Sequence, residues 1–119
     1  MDVVEASIAD LRAALESGAT TAVELVDAYL ARIDAYDLPL TETALNAVVV
    51  RNPDALAEAE ASDARRAAGA PLGPLDGIPY TAKDSYLVRG LTAAAGSPAF
   101  AELIAQAREK QGDSAGAAL

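Results

Sequence analysis

The sequence predicts an α/β protein in which N-terminal helices precede the first strands of a mixed sheet covered by helices. Three observations carry this expectation. Apolar residues recur at helical spacing through the first third of the chain. Two short apolar runs follow, too brief for helices and richest in β-branched residues at 48–50. Between them lies a long segment dominated by Ala, Glu and Arg. The resulting order, helix–helix–strand–helix–strand–helix, suits a layered structure, yet two short strands make an incomplete sheet.

The first helix is read from Ile8, Leu11 and Leu15 at i, i+3 and i+7, with Ser7 as N-cap and Gly18 where a C-terminal glycine belongs. The second begins at Thr20 or Thr21, since Thr21 and Glu24 have capping-box spacing. Its stripe is Val23, Val26, Leu30 and Ile33, widened by Leu25 and Tyr29, and the pattern stops near Tyr36. Residues 45–51, Leu-Asn-Ala-Val-Val-Val-Arg, read as an interior strand because the run is apolar on both faces. Asn52-Pro53-Asp54 then starts a third helix, with Asn52 as cap and Pro53 in the first position, and Gly69 ends it. Residues 70–77 form a Pro/Gly loop, 78–83 a second strand, 90–98 a small-residue loop and 99–110 a last helix. The end of the chain reads as frayed.

Composition prunes the functional classes. At 119 residues the chain fits one domain spanning 1–119, with residues 107–119 a divergent tail. Alanine dominates the apolar fraction and aromatics are few, so the core is expected to be small and stability marginal. A net charge of −9 repels phosphate backbones and anionic lipids, which argues against nucleic-acid and membrane partners. Without cysteine there are no disulfides or thiol nucleophiles, and without histidine the usual imidazole base is missing. No cluster has metal-ligand spacing, and no metal or cofactor site is expected. The start of the sequence lacks the pattern of a signal peptide, and no apolar run approaches the ~18 residues of a membrane span. The cytoplasm is the expected compartment.

The most informative stretch is Gly73-Pro-Leu-Asp-Gly-Ile-Pro-Tyr-Thr-Ala-Lys83-Asp84, which sets one lysine in an extended apolar run after a rigid turn. Such a lysine is either a solvated side chain or a desolvated base, because burial disfavours the ammonium and a neutral amine can accept a hydroxyl proton. Asp84 is expected to be a solvated carboxylate, with anchoring of the following loop as the alternative. Asp34 and Asp37 close the second helix against its dipole, in a local role the sequence does not name. Glu58, Glu60 and Asp63 are read as a solvated helix face that pairs with Arg65 and Arg66.

These residues resemble the amidase signature family, whose members hydrolyse carboxamide C–N bonds. The likeness rests on Gly-Pro-Leu-Asp-Gly-Ile-Pro at 73–79, Lys-Asp at 83–84, Gly-Leu-Thr at 90–92 and Ala-Gly-Ser at 95–97. The threonines at 20–21 with Glu24, and Leu-Asn-Ala-Val at 45–48, extend it upstream, to about residues 5–106 in all. The resemblance implies an amidase-type mixed sheet covered by helices, and a Ser–cisSer–Lys triad in which Lys83 is the catalytic base. It also implies a small-molecule amide substrate for the complete enzyme. Both serines and the oxyanion donors belong to a later Gly/Ser-rich segment that the sequence does not contain, so a fragment or frameshifted product is expected, inactive alone. Self-association through exposed sheet edges is a further expectation. A small acidic interaction module without chemistry, descended from an amidase, stays open as the second reading.

Ser97 is given no catalytic role; its simpler reading is the N-cap of the helix after Pro98. Gly112-Asp-Ser114-Ala-Gly116 matches the G-x-S-x-G elbow of α/β-hydrolases, but that motif needs a preceding strand and a histidine partner. Ser114 is therefore read as part of a flexible tail.

Overall fold

Helices account for all the regular structure in the computed structural model, which describes residues 1–38, 42–86, 88, 90, 91, 93–95 and 97. They are α1 (Ile8–Ser17), α2 (Ala22–Tyr36) and α3 (Ala55–Ala67). The chain divides into two compact units. Met1–Ala47 with Pro53–Tyr80 form the first and carry all three helices; Val48–Asn52 with Thr81–Leu119 form the second.

Local chemistry sets the helix ends. Ser7 accepts the Asp10 amide while the Asp10 carboxylate accepts the Ser7 amide, a reciprocal capping box that starts α1. Gly18, at φ 73, closes α1 in the left-handed conformation that glycine adopts without strain. Thr21 and Glu24 form the expected box at the start of α2, and Ala22 and Val23 donate their amides to the Asp63 carboxylate at 2.7 and 3.2 Å. A side chain of α3 thus completes the cap of α2. At the other end, Asp37 is the C-cap, and its Oδ1 accepts the Ala47 amide at 2.9 Å, which is the local role for an anion that the sequence left unnamed. The third helix starts later than expected. Asp54, not Asn52, is the cap, because the first intrahelical bond runs from the Glu58 amide to the Asp54 carbonyl.

The core of the first unit is small. Leu11, Leu15 and Leu25 are buried together, with Val3, Ala6 and Ile78 packed on them. Ile8, placed on the first apolar stripe from its spacing, is instead 59% exposed. In α2 the buried positions are Ala22 and Leu25, so the inward face is centred one step from the stripe read in the sequence. Ala22, Ala59 and Ser62 are all buried, and such small side chains let α2 and α3 pack closely.

The expected strands are not present among the described residues, and the α/β assignment gives way to an all-helical one. In the first run, Asn46 turns to φ 50, which interrupts an extended backbone, and Leu45 is 83% exposed. β-branched residues favour a pleated, half-buried surface more than they dictate a backbone, and among the described residues no strand supplies that surface. In the second run, Ile78 donates its amide to the Leu75 carbonyl, and Pro79 has no amide to donate. Ile78 spends its apolar surface on the helices instead. The helix expected over 99–110 and the tail lie outside the described residues. Among the described residues no helix is long and apolar enough to cross a membrane.

Candidate functional site

The Gly73–Pro79 turn is built on a single carboxylate. Asp76 is buried, and its Oδ1 accepts Ser62 Oγ at 2.8 Å and Arg65 Nη2 at 2.7 Å. Its Oδ2 accepts Arg65 Nε at 3.0 Å and the Leu72 amide at 2.9 Å. Both forks of the Arg65 guanidinium are engaged, the geometry that makes arginine–carboxylate pairs strong. Arg66 adds a bond from Nη2 to the Asp76 carbonyl at 2.5 Å. The Arg65 bonds chiefly hold the Asp76 carboxyl far below the usual carboxylate range, helped by Leu72 and Ser62 and opposed by burial.

Next to it, Gly77 explains why the turn carries glycine. It sits at φ +92, and a Cβ there would lie 3.0 Å from Ser62 Oγ and 3.3 Å from the Ala22 Cβ. The backbone of the turn therefore rests directly on the helices, where no side chain fits.

Sequence reasoning misses most of this arrangement. It assigns Arg65 and Arg66 to a solvated face with Asp63, yet the arginines hold Asp76 and Asp63 caps α2. Glu58 and Glu60 are exposed, as expected. No signal in the spacing announced it: Ser62, Arg65 and Arg66 at i, i+3 and i+4 make an ordinary polar helix face, and their shared partner lies in a loop eleven or more residues from Ser62 and Arg65.

Lys83 lies in the second unit and is exposed there. Its carbonyl accepts the Tyr86 amide at 2.8 Å. Asp84 is half-buried, and its Oδ1 accepts the Ala94 amide at 3.1 Å, while its carbonyl accepts the Ala95 amide at 3.2 Å. The anchoring role holds for Asp84 and the solvated reading does not. Ser97 donates its amide to the Ala94 carbonyl at 2.8 Å; the helix it was expected to cap, and Ser114, lie outside the described residues. Among the described residues no three acidic, His or Cys side chains gather in a way that could hold a metal ion.

The sequence from Glu24 onward decides the affiliation, because residues 24–110 match the Amidase family model. The chain belongs to the amidase family. The matched span contains the Asp76 turn and the Lys83-Asp84 pair. Among curated amidase relatives, a glutamyl-tRNA(Gln) amidotransferase subunit of Chloroflexus aurantiacus is 49% identical over 87 residues, 72% of this chain and 17% of the relative. The Streptomyces coelicolor protein of the same name is 38% identical over 96 residues, 81% of this chain and 18% of the relative. Among solved amidase structures, the peptide amidase of Stenotrophomonas maltophilia superposes with a TM-score of 0.75 at 42% identity, covering 80% of this chain and 19% of that one. The chain spans about a fifth or less of the length of each of these relatives.

Proposed function

We propose that this chain is the N-terminal portion of an amidase that hydrolyses carboxamide C–N bonds by a Ser–cisSer–Lys mechanism, with Lys83 as the base. The observation that carries the reading is the amidase match across residues 24–110, which includes the whole segment from Gly73 to Asp84. In this mechanism the hydroxyl proton of the nucleophilic serine passes through the bridging serine to Lys83 Nζ. The serine oxygen bonds to the carboxamide carbon, the C–N bond breaks, and the departing amine takes the proton. Water then releases the acyl group.

Neither serine of the proposed triad is among residues 1–119, so these residues alone are expected to be inactive. The substrate class is a small-molecule carboxamide, and the cytoplasm is the compartment this reading implies.

A graft tests the proposal. The matching segment of the Stenotrophomonas maltophilia peptide amidase is replaced by this chain's, and hydrolysis of a peptide amide is followed. The graft should retain turnover, and Lys83→Ala within it should lower kcat by about 10²–10⁴-fold, the contribution of a positioned base. Turnover indifferent to Lys83→Ala would remove Lys83 from the mechanism. A folded but inactive graft would favour the acidic, non-catalytic module.

A further inference from the structure

Asp84 does more than follow the lysine. Three backbone-directed bonds converge on two consecutive residues: Tyr86 on the Lys83 carbonyl, Ala94 on the Asp84 carboxylate and Ala95 on the Asp84 carbonyl. The two bonds to Asp84 return the chain onto it from ten and eleven residues away. At the return Ala95 sits at φ 48, a left-handed conformation uncommon for a non-glycine residue, inside the turn that the Ser97 amide closes on the Ala94 carbonyl. Ala93, just before the contact, is buried, so the returning chain is also packed.

A lysine amine rides on a flexible four-carbon stem, so its aim begins with the direction in which the backbone launches the stem. We propose that Asp84 is a positioning residue for Lys83, fixing that backbone by accepting the Ala94 and Ala95 amides. The inference rests on the reading of Lys83 as the base. A carboxylate suits the task because a charged acceptor holds an N–H more strongly than a neutral one. An asparagine keeps the Oδ1 acceptor, whereas an alanine removes it.

The test uses the full chain labelled with ¹⁵N. Amide hydrogen exchange is read at Ala94 and Ala95, and backbone order at the Lys83 amide, in wild type, Asp84→Ala and Asp84→Asn. Asp84→Ala should raise exchange at Ala94 about tenfold, the worth of one lost hydrogen bond, and lower the order of Lys83. Asp84→Asn, which keeps a neutral acceptor in place of the charged one, should bring both most of the way back toward wild type. A loop closure with no bearing on the lysine would free Ala94 and leave Lys83 as ordered as before, and that result overturns the proposal. Should Asp84→Ala fail to fold, Asp84→Asn decides: retained order at Lys83 supports the role, and loosened order or loss of folding refutes it. None of these measurements uses turnover. A lost anchor therefore leaves the amidase reading intact, and an inactive graft leaves the anchor intact.

Discussion

Replacing Asp76 by alanine should cost this protein a large part of its stability. The carboxylate collects four hydrogen bonds, two of them from the Arg65 fork, at 2.7 to 3.0 Å. One bond to a charged group is worth about 1.5–3 kcal/mol net. The four are not additive, since all end on one side chain, and Arg65, whose side chain is 33% exposed, can return to water once released. The expected loss is about 2–3 kcal/mol, against a total on the order of 5 kcal/mol for a protein with so small a core. Urea unfolding followed by helical circular dichroism measures it as a lower midpoint at unchanged slope. A shift under about 0.5 kcal/mol, the size of an ordinary surface change, would refute the view that this carboxylate pins the turn to α3. Acid provides the second arm. The folded-state pKa of Asp76 is depressed, so its contribution is complete above about pH 4 and disappears as pH falls toward the folded value. Asp10, lowered by the Ser7 hydroxyl, adds to the same acid slope, so the difference between wild type and Asp76→Asn isolates Asp76.

Three further outcomes are expected. Gly77→Ala should destabilise by about 1–3 kcal/mol in the same urea assay, because its φ of +92 and the 3.0 Å approach of Ser62 Oγ leave a methyl group no room. Asp63→Ala should cost about 1–2 kcal/mol by uncapping two amides of α2, and amide exchange at Ala22 and Val23 should rise with it. Leu45→Glu should change stability by less than about 0.5 kcal/mol, since Leu45 is 83% exposed; a cost of several kcal/mol would show that residues 45–51 pack after all.

What the sequence made legible was mostly local. Ser7, Thr21 with Glu24, and Gly18 announced the helix ends because caps are satisfied within one turn of chain. The family could be read for a similar reason, since its motifs are contiguous words. The strands failed because a strand exists only by pairing, and Val48 to Val50 carry no information about what lies beside them. The Asp76 network was hidden for a related reason. Its carboxylate is reached by Ser62 and Arg65, fourteen and eleven residues away, and no periodicity links a loop aspartate to a helix arginine. Lys83 stands out by its sequence surroundings and Asp84 could be weighed both ways, while the bond from Ala94 that settles its placement depends on the return of the chain.

The doubly capped start of α2 has a consequence for what the protein can bind. A helix N-terminus is ordinarily an invitation to phosphate, sulfate or a substrate carboxylate. Here the Thr21 amide goes to Glu24, those of Ala22 and Val23 to Asp63, and that of Glu24 back to the Thr21 hydroxyl. Two resident acids already occupy the berth, so an incoming anion would meet negative charge instead of open donors and must be received elsewhere.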